Sequence, residues 1–109
     1  MELTDGRYSI QGIDVVSLCE KYGNPIYVYD TGFMEYQFNR MKNAFKVNQL
    51  KINYACKALT NINILKMFCS LGSGLDAVSI QEVELAIRAG FKPEDIIFTP
   101  NCVSIEEIC

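Results

Sequence analysis

The chain has 109 residues, half of them hydrophobic and 21% charged, and its ten basic and thirteen acidic residues leave a net charge of -3. That length holds one modest domain or a piece of a larger one, and the acidic balance argues against a nucleic-acid partner, whose phosphates draw on clustered Lys and Arg. Histidine is absent, which removes Ser-His-Asp and Cys-His catalysis and the commonest metal ligand from these residues.

The apolar residues are dispersed among polar ones, so no stretch is long enough to cross a bilayer. Met1-Glu2-Leu3-Thr4-Asp5 is acidic where a signal peptide would be basic, and a cytoplasmic protein is the expectation. Cys19, Cys56, Cys69, Cys102 and Cys109 form no C-x-x-C pair and fit neither a disulfide framework nor a zinc site. They read as reduced thiols, mostly in the core.

Asp14 is a plausible N-cap for a short helix carrying Val15, Leu18, Cys19 and Tyr22, with Gly23 ending it. After Pro25, the β-branched and aromatic run Ile26-Tyr27-Val28-Tyr29 predicts a strand. Asp30 or Thr31 caps a second helix with an apolar stripe of Met34, Phe38, Met41 and Phe45. Its basic residues Arg40 and Lys42, with Lys46 beyond, read as a solvated face.

From Lys51 onward strands and helices alternate. Ile52 to Lys57 predicts a strand, followed by a helix with Ile64, Leu65, Phe68 and Leu71 inward and Gly72 at its end. Leu75 to Val78 predicts the next strand, and Val83, Ala86 and Ile87 mark a helix that stops at Gly90. A turn over 91–95 leads to a strand from Ile96 to Thr99. Ser79-x-x-Glu82 and Ser104-x-x-Glu107 both fit the capping box, in which Ser and Glu satisfy free backbone N–H groups reciprocally. Strands recurring about every 20 residues, each followed by a capped helix, give the grammar of a parallel β/α protein. Three such strands cannot close an eight-stranded barrel, so a truncated portion of a longer protein is expected.

Alternation along the first of these strands places Asn53, Ala55 and Lys57 on one face and Ile52, Tyr54 and Cys56 on the other. With the bulky set facing the helices, Lys57 points inward at the strand's C-terminal end, where barrel enzymes keep their active sites. Desolvation there favours the neutral amine that a Schiff base needs. Asp76, near the C-terminal end of the adjacent strand, is placed to hold that lysine by charge or hydrogen bond. Pattern alone also leaves open a solvated Lys57 and an Asp76 that merely ends its strand.

Tyr54-Ala55-Cys56-Lys57-Ala58 resembles the lysine motif of the fold-type III pyridoxal-phosphate-dependent decarboxylases, the group related to alanine racemase. The run from Leu71 to Ser79 resembles that family's second strand, Glu82 to Leu85 the helix after it, and Ala89 to Phe98 the approach to its third strand. Upstream, Tyr22 to Asp30 is similar to the segment with which the family's diaminopimelate decarboxylase branch begins. The resemblance runs in order from about Tyr22 to the end, far more than one motif. It departs where many relatives carry Ala-Asn-x-Asn and this chain has Ala58-Leu59-Thr60-Asn61.

The resemblance implies a pyridoxal 5'-phosphate-binding (β/α)8 barrel joined to a β-domain. Residues 1–30 would contribute a helix and a strand to the β-domain, and residues 31–109 the first β/α units of an incomplete barrel. It implies that Lys57 is the Schiff-base lysine and that Asp76 belongs to the network beside it, both contacting the cofactor. Glu82 and Asn101 also fall at family positions, although a capping role and a turn role account for them. The implied reaction is decarboxylation of meso-2,6-diaminopimelate to L-lysine. Related ornithine, arginine or carboxynorspermidine decarboxylation, or a non-catalytic pyridoxal-phosphate carrier, are the alternatives. The whole protein would act as a homodimer, and the isolated piece is expected to be inactive.

Overall fold

The structure, a computed structural model, describes residues 1–108, with Glu107 described through its backbone only. It divides into two units, Met1–Gln37 and Phe38–Cys109.

The first unit opens with an antiparallel meander of β1 (Glu2–Thr4), β2 (Arg7–Ile10) and β3 (Ile13–Asp14). Its two turns are alike. Asp5 and Gln11 have φ of 51°, and the glycines after them, Gly6 and Gly12, have φ of 75°. Positive φ at both central residues is the signature of the tight hairpin turn that matches strand twist, and Asp-Gly is among its preferred sequences.

Helix α1 (Val15–Tyr22) follows at once. Asp14 caps it by accepting from the Ser17 N–H at 2.9 Å, and the Gly23 N–H closes it onto the Cys19 carbonyl at 2.8 Å. Ile26 to Tyr29 joins no sheet among the described residues, and Tyr27 is 90% exposed. The strand expected there is therefore absent from this structure. Its composition suits a pleated surface, yet no described strand lies beside it to pair with its backbone groups.

Helix α2 (Thr31–Ala44) begins in the first unit and ends in the second. Asp30 is its cap, accepting from the Phe33 N–H at 2.8 Å, and the Gln11 side chain donates to the same carboxylate at 3.1 and 3.2 Å. Of the expected apolar stripe only Phe38 is buried. Met41 is exposed, and Phe45 lies past the helix end.

The second unit is the predicted parallel β/α arrangement. Strands β4 (Asn53–Ala55), β5 (Gly74–Ala77) and β6 (Ile96–Phe98) pair in that order, all parallel. Helices α3 (Ile62–Ser70) and α4 (Ile80–Ala89) form the crossovers, and α5 (Ile105–Ile108) follows β6. The β5 strand starts one residue earlier than its apolar run suggested, at Gly74.

The core lies between sheet and helices. Cys56, Leu65, Leu75, Ala77 and Ala86 are fully buried, and each fully buried Leu contributes roughly 2 kcal/mol of apolar burial. The Tyr54 ring stacks on Phe68 of α3 at 4.2 Å between centroids, and Phe68 meets Phe38 edge-on at 5.9 Å. The bulky face of β4 thus looks at the helices, as alternation predicts. Helix α4 ends in a left-handed Gly90 (φ 104°), and the Phe91 N–H bonds back to the Ala86 carbonyl at 3.1 Å. Phe91 is buried beneath this turn, the usual apolar accompaniment of such a cap.

Of the described cysteines Cys56 is buried, Cys19 and Cys69 are half-buried and Cys102 is exposed; Cys109 lies outside the described residues. The capping box expected at Ser104 needs the Glu107 side chain and also falls outside them. No helix among the described residues is long and apolar enough to cross a membrane.

Candidate functional site

Parallel register brings the C-terminal ends of the three strands together. Ala55 lies beside Asp76, Asp76 beside Ile97, and Ala77 beside Phe98. Side-by-side residues in a sheet share a face, so Asn53, Ala55, Gly74, Asp76 and Ile97 line the face turned away from α3 and α4. The opposite face carries Tyr54, Leu75 and Ala77.

Lys57 does not belong to β4. The strand ends at Ala55, and Cys56–Ala58 forms a single 3-10 turn closed by the Leu59 N–H on the Cys56 carbonyl at 3.1 Å. Strand alternation therefore stops short of the lysine, and Lys57 is exposed rather than desolvated. It makes no hydrogen bond or ion pair among the described residues. The turn itself is well anchored: Cys56 is fully buried, and the Tyr54 hydroxyl donates to the Leu59 carbonyl at 3.2 Å. Lys57 thus stands just past the C-terminal end of β4, on a fixed backbone with a free amine.

Asp76 is partly buried on β5, and its partner is not Lys57. The Thr99 hydroxyl donates to Asp76 Oδ1 at 2.6 Å. The structure thus places Asp76 and Lys57 at the same end of adjacent strands without a bond between them. Thr99 entered the sequence reading only as the end of a strand. Its tie to Asp76 depends on the β5–β6 register, which no local motif reveals.

Glu82 is buried and does more than a standard capping box. The Glu82 N–H bonds to Ser79 Oγ at 3.3 Å, but its carboxylate accepts from the Val78 N–H at 2.7 Å, one residue ahead of the cap. It thereby fixes the loop leaving β5 at the lysine end of the sheet. Burial, with the Glu82 charge second, pushes the Cys56 thiol up to about 11. Asn101 is exposed in a bend after β6, where the Cys102 thiol donates to its side-chain oxygen at 3.4 Å. That matches the turn role.

At the other end of the sheet, Lys51 pairs with Asp95 and donates to the Glu94 carbonyl. Asn53 Oδ1 is buried without a hydrogen-bond partner among the described residues, pressed against Gly74, where a Cβ would overlap it. Sequence reading placed Asn53 on the inner face but missed this packing.

Residues 31–109 match the family described as pyridoxal-dependent decarboxylase, pyridoxal binding domain. The chain belongs to this family. It is 38% identical over 111 residues to the diaminopimelate decarboxylase of Methanothermobacter thermautotrophicus, a match covering 99% of this chain and 26% of that protein. Among solved structures, the diaminopimelate decarboxylase of Methanocaldococcus jannaschii in complex with L-lysine superposes with a TM-score of 0.90 at 35% identity. That match covers 98% of this chain and 26% of the other. The Helicobacter pylori enzyme, also complexed with L-lysine, gives 0.79 at 39% identity over 85% of this chain and 24% of its own. The chain thus spans about a quarter of the length of these relatives.

Proposed function

We propose that Lys57 is the residue that carries pyridoxal phosphate, and that the protein takes part in decarboxylating meso-2,6-diaminopimelate to L-lysine. The observation that carries this reading is the free, exposed amine of Lys57 at the C-terminal end of β4, beside the strand that bears Asp76. A cofactor aldehyde needs an unpaired primary amine, and the donor set here fits. The other strand-end lysine, Lys51, is committed to Asp95 and Glu94 at the opposite end of the sheet. Lys21, Lys42 and Lys66 lie on helices, and Lys46 and Lys92 in loops.

Pyridoxal phosphate, when bound, supplies an electron sink for the pair released as the bond to the leaving carboxylate breaks. This chain's own contribution is placement. The Cys56–Ala58 turn fixes the lysine backbone, Asp76 sets a negative charge on the neighbouring strand, and Glu82 holds the loop between them and α4. The substrate class is supported by the similarity to diaminopimelate decarboxylases and by the L-lysine bound to two of those solved structures. The match over 99% of the chain includes the residues ahead of Thr31, which favours a decarboxylase over a bare carrier barrel.

Borohydride reduction of the cofactor-loaded protein tests the assignment. Peptide mass mapping should place reduced pyridoxal phosphate on Lys57 alone, and Lys57→Ala should abolish both the adduct and lysine formation while leaving the fold intact. Label on another lysine, or near wild-type decarboxylation by Lys57→Ala, overturns it.

A further inference from the structure

Thr99 is built to hold Asp76. It follows β6 directly and precedes Pro100, and a residue before proline is kept out of the helical region. Its N–H donates to the Ala77 carbonyl at 2.8 Å, which carries the β5–β6 ladder one residue past Phe98. Its β-branched side chain has few χ1 choices. Backbone and side chain are thus both restrained where Oγ1 donates to Asp76 Oδ1 at 2.6 Å, within the range of charge-assisted hydroxyl–carboxylate bonds. Asp76 Oδ2 has no hydrogen-bond partner among the described residues.

We infer that Thr99 is a positioning residue for the cofactor site: its hydroxyl occupies one oxygen of Asp76 and fixes the carboxylate so that the other stays available to the group held at Lys57. This rests on the reading of Lys57 and Asp76 as the cofactor site. A carboxylate free to rotate on an open sheet face would spend much of its time turned to water. A bond from the next strand confines it, because the parallel register makes β5 and β6 move as one. The contribution belongs to placement rather than to stability, since a solvent-exposed hydrogen bond adds little to folding.

The test uses the cofactor-loaded protein and four variants: Thr99→Val, Thr99→Ser, Asp76→Ala and the Thr99→Val/Asp76→Ala pair. Retention of pyridoxal phosphate is measured by equilibrium dialysis, and stability by the urea midpoint. Thr99→Val keeps the shape and removes the hydroxyl. It should weaken retention about fivefold, the scale of one typical lost hydrogen bond, with the urea midpoint unchanged. Thr99→Ser should recover most of that loss, and Thr99→Val should add nothing when Asp76 is already Ala. Retention by Thr99→Val equal to wild type, beside an impaired Asp76→Ala, overturns this inference alone. So does a loss that is fully additive in the double variant, or one that Thr99→Ser fails to recover. An Asp76→Ala variant that holds the cofactor as wild type does overturns the site assignment of Asp76 and the role of Thr99 together.

Discussion

Cys56 and Lys57 are neighbours in sequence with opposite surroundings. The thiol is fully buried and faces the charge of Glu82, whereas the lysine is exposed. Only the thiolate reacts with alkylating agents, so a thiol whose pKa is raised to about 11 is on the order of one part in a thousand reactive near about pH 8. Cys102 lies in the open. Iodoacetamide should therefore modify Cys102 within minutes and spare Cys56 until urea unfolds the chain. Peptide mapping that finds the two labelled at similar rates contradicts the burial of Cys56. The sequence placed most of the thiols in the core; of the described ones Cys56 is buried, Cys19 and Cys69 are half-buried and Cys102 is exposed, because a residue's exposure depends on what the fold brings over it.

At the level of elements, α2 depends on a cap with a titratable side chain. The Phe33 N–H beside Asp30 holds its carboxyl below the usual range against a partial burial penalty, and the Gln11 amide adds to this. Since the folded value lies below the unfolded one, the cap is fully present above the ordinary carboxylate range and is lost as pH falls through the lowered value. The Phe33 amide resonance should shift in an acid titration, with its midpoint below the ordinary carboxylate value. In Asp30→Asn, which caps without a charge, the shift should disappear. A flat titration in the wild-type chain refutes the cap.

Elements were legible where local pattern and burial agree. Ile64, Leu65 and Phe68 mark the inner face of α3, and Gly90 marks the end of α4. The hairpins of the first unit went unread although Asp5-Gly6 is a turn signal. Their strands are short and mostly exposed, so they carry no clear alternation. Ile26–Tyr29 erred the other way, with strand composition but no pairing. The Thr99–Asp76 bond spans 23 residues and follows from strand register, which the sequence does not print.

Across the whole molecule, the parallel sheet of the second unit is open among the described residues. Both β4 and β6 are paired on one side only, and Ile97 on β6, Ile80 and Ile87 on α4, and Ile105 and Ile108 on α5 remain exposed. Unpaired edges and apolar patches of this kind template association. The purified 109-residue chain should therefore self-associate, with a broad urea transition that depends on protein concentration. A sharp, concentration-independent transition of a monomer would contradict this. The parallel order of the sheet and its crossover helices were readable from the strand–helix rhythm, because each apolar run faces its neighbours in sequence.

The turn that carries Lys57 sets a timescale. Its backbone is pinned by the buried Cys56, the closing bond to Leu59 and the Tyr54 hydroxyl, while the side chain is exposed and makes no bond among the described residues. Exposed side chains change rotamer in picoseconds to nanoseconds, whereas loop backbones rearrange in nanoseconds to microseconds. The amine thus sweeps its reach quickly about a stationary pivot. Capturing it freezes side-chain torsions alone, and the entropy lost on capture is that of one lysine rather than that of a loop.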